Sequence, residues 1–395
     1  MGVGRLVSFK DESNNRLASL VIGDRVKDDP SKRYVRIPGQ DPVYVVTLDE
    51  SDLTSNFRSW IEDDLLLLSS IEIKTVEIDD YLSNVGSTRI TRTRNYTAEV
   101  EKTVTDWNIK RLLEYDPNDE LIEPTSVQLT AADQANRSKL DQMANALDDL
   151  RIVDVVRKPE GLEVDVDNNM SLKGNNSALA SLGQRGFYPQ ENTNGSVEIY
   201  SANGELHVTL EGGVRYNLRF GNIAGISPTE QDSDQVETGV NRYLLVTTEV
   251  DPTQFPPPSI RPIPNTVEEL KKNLAEKTSD DTSDKESTDG DTELTDEEWQ
   301  ERLEAEQEII TKENRRLMDD RKNQLAEAER RASELNQRFS DWYYVISEET
   351  YSMLRIKRDQ LLESDASQTP ASGLFNPNNP SNSGSGLPPL QLPQF

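Results

Sequence analysis

Leu53, Phe57 and Trp60, in LTSNFRSWIEDD, recur with the same spacing as Leu335, Phe339 and Trp342, in LNQRFSDWYYVIS. The spacing is that of one helix face, and aromatic side chains so placed are ordinarily core. Each copy also follows a run of strand-like segments, which predicts a fold built twice from one unit. The first run is RLVSFKD, RLASLVIG, KRYVRI and PVYVVTL, separated by ESNN, DDPS and PGQD. The separators hold the Asn, Asp, Pro and Gly that turns require, and loops this short predict an antiparallel meander. The second is SVEIYSANGELHVTLEGGVRYNLRFGN with NRYLLVTTEVD, in which Asn203-Gly204 is a hairpin signal.

The correspondences keep their order. Leu17 to Gly23 matches Leu206 to Gly212, RYVRI matches RYNLRF, VYVV matches RYLLV, and IEIK at Ile71 matches LRIK at Leu354. They indicate an internal duplication. Each aromatic helix is expected to lie on the concave face of its own meander, so that Trp60→Ala or Trp342→Ala would each cost about 3–5 kcal/mol.

The second copy is interrupted. PTQFPPPSIRPIP and SDDTSDKESTDGDTE read as a disordered Pro-rich and acidic linker over 252–294. From Thr295, capped in box fashion by Glu298, helical spacing continues without Pro or Gly past Trp342. Some 40 helical residues would run about 60 Å. The apolar stripe is thin early (Trp299, Leu303, Ile310, Leu317) and thick late (Leu325, Ala328, Ala332, Leu335, Phe339, Trp342), so the early half is expected to project as an interaction helix. Between the copies, Thr130 reads as the N-cap of a helix with Leu140, Met143, Leu147 and Leu150 on one face, followed by the strand RIVDVV. NSALASLGQRGFYP adds a short helix ending near Gly186, and the tail from Ser364 is low-complexity.

The sequence thus predicts an α+β fold of two duplicated antiparallel meander-plus-helix units with an intervening αβ layer, a long inserted helix, and a disordered linker and tail. The expected division is 1–80 for the first unit, 81–190 for the middle layer, 191–251 with 335–363 for the second unit, 252–294 for the linker, 295–334 for the projecting helix and 364–395 for the tail.

Chemistry is harder to find. A net charge of −29 repels phosphate backbones and anionic bilayers, so nucleic acid and direct membrane insertion are not expected. With no cysteine, thiolate nucleophiles and cysteine-held metals are excluded. Neither MGVGRL nor any later run reads as a lipidation signal, signal peptide or membrane span. His207 is the only histidine, which excludes a multi-histidine metal site within one chain, and alternation puts it opposite Leu206, Val208 and Leu210 on a solvent-facing side without evident catalytic partners. DVDNN at Asp165 fails as a calcium loop, with Met170 and Asn176 where Gly and Glu are needed. GVGRLV lacks the third glycine of a dinucleotide fingerprint. RITRTRN supplies the one basic patch, Arg89, Arg92 and Arg94, either a grip for an acidic partner or an edge strand guarded by charge. No cofactor, metal or catalytic residue is predicted.

At RFSDWYYVIS, GFYP, SANGEL, RYNLRFGN and NRYLLV, and again at GRLVSF, LASLVIG, RYVRIPGQDPVYVV and FRSWIEDDLL, the sequence resembles bacterial domain-of-unknown-function family 4340. The resemblance covers Gly4 to about Leu362 apart from the 252–334 insertion. It implies an extracytoplasmic body on an N-terminal membrane anchor, encoded beside ABC-transporter components similar to those of gliding-motility systems. No such anchor is legible here, so the expected location is the extracytoplasmic side of the envelope if an anchor precedes this sequence, and cytoplasmic or peripheral otherwise. The function expected is a non-enzymatic accessory or scaffold subunit whose partners are the membrane-embedded and soluble subunits of the transporter. The alternative is an envelope carbohydrate- or peptide-binding module that stacks ligands on Tyr216, Tyr243 or Trp107.

Overall fold

The computed structural model describes residues 4–11, 14–49, 53–54, 57–62, 64–86, 90–116, 122–130, 133–159, 176–191, 197–229, 237–280 and 295–363. Arg89, the Asp165 loop, the acidic run 281–294 and the tail 364–395 lie outside them.

The first four strands, β1 (Arg5–Lys10), β2 (Arg16–Val26), β3 (Asp29–Arg36) and β4 (Val43–Thr47), form the expected antiparallel meander. The chain then crosses through a short 3-10 turn at Phe57–Trp60 and a plug of Leu65, Leu66 and Leu68, all buried. It enters β5 (Ile73–Val85), β6 (Ile90–Lys102), β7 (Trp107–Glu114) and the two-residue β8 (Thr125–Ser126). Helix α1 (Arg137–Asp148), β9 (Asp154–Arg157), α2 (Asn176–Gln184), β10 (Phe187–Glu191) and β11 (Val197–Ser201) follow. Next come β12 (Glu205–Leu210), β13 (Val214–Thr229), β14 (Glu237–Val250), α3 (Val267–Asp280), α4 (Asp296–Phe339), β15 (Trp342–Ser347), α5 (Glu348–Leu354) and α6 (Arg358–Leu361).

The fold class is α+β, but the layout is not two meanders flanking a middle layer. One nine-stranded sheet runs β8-β7-β6-β5-β12-β13-β14-β15-β9, every adjacent pair antiparallel. The boundary expected at 80/81 therefore falls inside β5, which pairs β12 and belongs to this sheet. One sheet face is apolar by simple alternation: Ile78, Val76, Leu206, Val208, Leu218, Tyr216, Leu244 and Val246 are buried there with Leu140, Met143 and Leu147 of α1 and Ala328, Ala332, Leu335 and Phe339 of α4.

The duplicated-unit reading meets mixed geometry. β2-β3-β4 and β12-β13-β14 share order and antiparallel direction. However, β1 pairs β2 whereas β11 pairs β10, so Asn203-Gly204 is a crossing turn rather than a hairpin. Gly204 has φ +81°, and a Cβ there would sit 2.8 Å from the Asp79 carbonyl oxygen. Ile71–Lys74 runs from a 3-10 turn (Ser70–Glu72) into β5, whereas Leu354–Lys357 runs from the last residue of α5 to the start of α6. The repeated aromatic triplets also adopt different structures. Trp60 ends a 3-10 turn, 57% exposed, its indole N–H on the Thr54 carbonyl. Phe339 closes α4 fully buried, and Trp342, half-buried, opens a strand. The spacing is shared, but the strand-forming run WYYVIS after Asp341 overrides helix, and among the described residues no concave face receives Trp60.

Helix α4 has its predicted Thr295–Glu298 capping box and runs 44 residues, about 66 Å. Its late half crosses β14 beyond Leu244, the last β14 residue paired with β15. There Asn336 takes the place of a neighbouring strand. Its Oδ1 accepts from the Thr248 N–H at 2.7 Å and its Nδ2 donates to the Thr248 carbonyl at 2.7 Å. Asn336→Leu strands both backbone groups in the core and is expected to cost about 2–3 kcal/mol, read from urea midpoints.

The linker expected to be disordered is ordered over 252–280. Asn314 exchanges two hydrogen bonds with the Arg261 backbone at 2.8 Å, Gln307 donates to the Pro264 carbonyl, and Arg261 pairs Glu306 and Glu313. Proline removes backbone donors but pre-sets an extended strip, and a helix with side-chain amides can hold such a strip in place.

Candidate functional site

Opposite the core, alternation turns the centre of the nine-stranded sheet polar. β12 presents Glu205, His207 and Thr209, and β13 presents Arg215, Asn217 and Arg219, with the register pairing Glu205 to Arg219 and His207 to Asn217. Glu205 is buried, accepts the Tyr81 hydroxyl proton and lies 3.3 Å from Arg219 Nε. Arg219 also donates to the Ile199 carbonyl and to Thr247 Oγ1, each at 2.8 Å. Burial first, then the Glu205 charge, pushes the Tyr81 phenol well above its ordinary range, so it remains a donor.

His207 faces this side as predicted, but it is not free. Its Nδ1 is 2.6 Å from Asn217 Oδ1, and its Nε2 is 3.8 Å from Glu205. Around the cluster runs a lattice of ion pairs: Glu77 with Arg111 and Arg215, Glu249 with Arg215, Glu99 with Arg111, and Asp79 with Arg94. These groups hold one another. A carboxylate locked between an arginine and a phenol braces β5, β12, β13 and β11 and is poorly placed to shuttle protons. Glu205→Gln keeps the shape and removes the charge facing Arg219; a loss of about 1–3 kcal/mol in denaturant melts is expected. Among the described residues no group of three or more His, Asp and Glu side chains is set to hold a metal ion. No helix among them is long and apolar enough to cross a membrane.

The other residues picked from sequence fall elsewhere. Arg92 lies 3.8 Å above the Tyr200 ring, and Arg94 pairs Asp79 beside Tyr115. The stacking platforms are not open: Tyr216 is buried with its hydroxyl on the Leu66 carbonyl, Trp107 is buried with its indole on Asp141, and Tyr243 packs beneath Arg185. The projecting stripe is already covered by its own chain. Leu303 and Ile310 are buried, as is Leu270 of the facing α3, and Trp299 lies under Lys271 while Leu317 is half-buried. A cavity of about 600 Å³ between α1 and α5 is open and lined mainly by polar side chains such as Gln142, Asn145 and Thr350.

Lys158 carries no sequence signal, since it simply follows β9. Its Nζ caps α4 by donating to the Phe339 carbonyl at 3.0 Å. Burial brings its pKa down to about 7, opposed by the Asp341 charge.

Uncovered apolar surface concentrates on the four-stranded sheet. Leu6 is 61% exposed, Leu17 71%, Val43 59% and Val45 50%, with Phe9, Tyr34 and Tyr44 also exposed.

Residues 4–167 match the family model described as Domain of unknown function (DUF4340). This part of the chain is similar to that family. The match takes in the four-stranded sheet, β5 to β9 and α1, and ends before GFYP, SANGEL, RYNLRFGN and NRYLLV, so the resemblance read further along the chain lies outside the DUF4340 span. No curated protein and no solved structure matches the chain.

Proposed function

We propose that the chain is a non-enzymatic accessory or scaffold subunit of a bacterial envelope ABC-transporter assembly of the gliding-motility type, acting on the extracytoplasmic side. One observation carries the binding role: the polar groups of the large sheet are engaged with each other, while the four-stranded sheet leaves Leu6, Leu17, Val43 and Val45 uncovered. Exposed apolar clusters of this kind mark protein contact surfaces. The docking surface is accordingly moved from the α4 stripe to the β1–β2 half of that sheet. The transporter as partner rests on the family resemblance. We also read β2-β3-β4 and β12-β13-β14 as descendants of one unit, supported by their common order and direction.

Affinity capture from native membranes tests the role. Wild-type chain is expected to recover the permease and ATPase subunits, and Leu17→Asp to recover far less. Equal recovery by both, or none by the wild type, contradicts it.

A further inference from the structure

Sheet edges are aggregation hazards, and folds blunt them with short strands, charge, proline or bulges. Here β8 has two residues, and β9 has four with Asp154 and Arg157 at its ends. β10 carries Pro189 and β11 carries Glu198. β1 is bounded by Arg5 and Lys10, with a register shift at Phe9. β4 alone among these edges has no such device. It reads VYVVT, pairs only β3 among the described residues, and has no charge, proline or register shift.

We propose that β4 pairs with β4 of a second copy, antiparallel about a two-fold axis at Val45, joining two four-stranded sheets into one of eight. The β3–β4 register and the Leu48 N–H bond to the Ser31 carbonyl fix the alternation, which directs the Val45 N–H and C=O to the free edge. Across the axis Val45 meets Val45, Tyr44 meets Val46 and Val43 meets Thr47, so no charge opposes its like within the ladder. Asp41 and Asp49 flank the strand and oppose each other across the axis, which keeps the ladder to five residues. A two-fold pairing of this kind closes on itself and does not propagate.

The near balance of charge makes this the place where a second copy is tolerated. The chain carries −29, so most self-contacts bring anionic surfaces together, yet residues 5–47 hold eight Lys and Arg against six Asp and Glu, a net of +2. So short a ladder suits a weak, concentration-dependent dimer. It leaves Leu6 and Leu17 free for a different partner.

Sedimentation of the full chain over a range of concentrations tests this. The wild type is expected to shift from monomer to dimer as concentration rises. Val45→Lys and Val45→Glu, at a half-exposed position and each checked by circular dichroism for the retained fold, are each expected to stay monomeric. Their equimolar mixture is expected to dimerise again, because only a two-fold ladder sets position 45 against itself. Leu6→Lys, on the opposite edge, is expected to dimerise like the wild type. A wild type monomeric throughout, a dimer persisting in Val45→Lys alone, no rescue in the mixture, or loss of the dimer in Leu6→Lys would each overturn the interface.

Discussion

Phe339→Ala is expected to cost about 3–5 kcal/mol, while Trp60→Ala costs less than about 1 kcal/mol. The two residues occupy neighbouring places in the same repeated motif, yet their surroundings differ. Phe339 is 1% exposed, with its ring tilted against Tyr216 of β13 and edge-on to Tyr344 of β15. Removing it opens a cavity where the long helix ends, between two strands that cannot close the gap without moving the sheet. Trp60 leaves more than half its surface in water, and its indole N–H donates to the Thr54 carbonyl just ahead of the turn. Trp342, half-buried against the core, falls between them. Urea midpoints of the three alanine variants give the order directly, and a Trp60 loss matching that of Phe339 would contradict the fold described.

Stability is expected to rise as pH is raised from about 7 to 10, by on the order of 4 kcal/mol from Lys158 alone. Below pH 7 both the folded and unfolded chains hold the ammonium, and the folded state bears the full cost of burying it. Between the folded value of about 7 and the ordinary value of 10.5 the unfolded chain binds more protons, so rising pH favours the folded state. Past pH 10 the trend reverses. Burial raises the phenols of Tyr81, Tyr96 and Tyr216, so unfolded tyrosines ionise while these do not. Facing Lys158 are the Phe339 carbonyl, the Tyr343 ring at 5.7 Å and the Asp341 carboxylate, whose charge favours the ammonium. Lys158→Met should flatten the slope between pH 7 and 9.5. Parallel wild-type and variant curves over that range would rule the account out.

What could be read from the sequence was what local period decides. β1 to β4 and β12 to β14 follow from alternation and turn residues, and α4 begins where Thr295 and Glu298 place it. The α1 face was legible from Leu140, Met143 and Leu147, although its start was not. Thr130 bonds Asp133 in a turn, and the helix is capped by Asn136 instead. Strand partnership was not legible, because nothing local distinguishes a β5 that closes the first meander from one that pairs β12 across more than a hundred residues. Nor was the end of α4, since helical spacing runs on through Trp342 and only the alternation of Tyr344 and Ile346 marks the change. Of the polar cluster, the side on which His207 lies was predictable, and the same alternation could have added Glu205 and Arg219. Asn336 left a fainter trace as a polar residue inside an apolar stripe. Lys158 left none.

Site-specific photocrosslinking in native envelopes tests the central claim most directly, with the probe placed in turn at Leu17 on the four-stranded sheet and at Arg111 in the ion-pair lattice. The account predicts crosslinks to another polypeptide from position 17 and none from position 111. Crosslinks from position 111 with none from position 17 would contradict it.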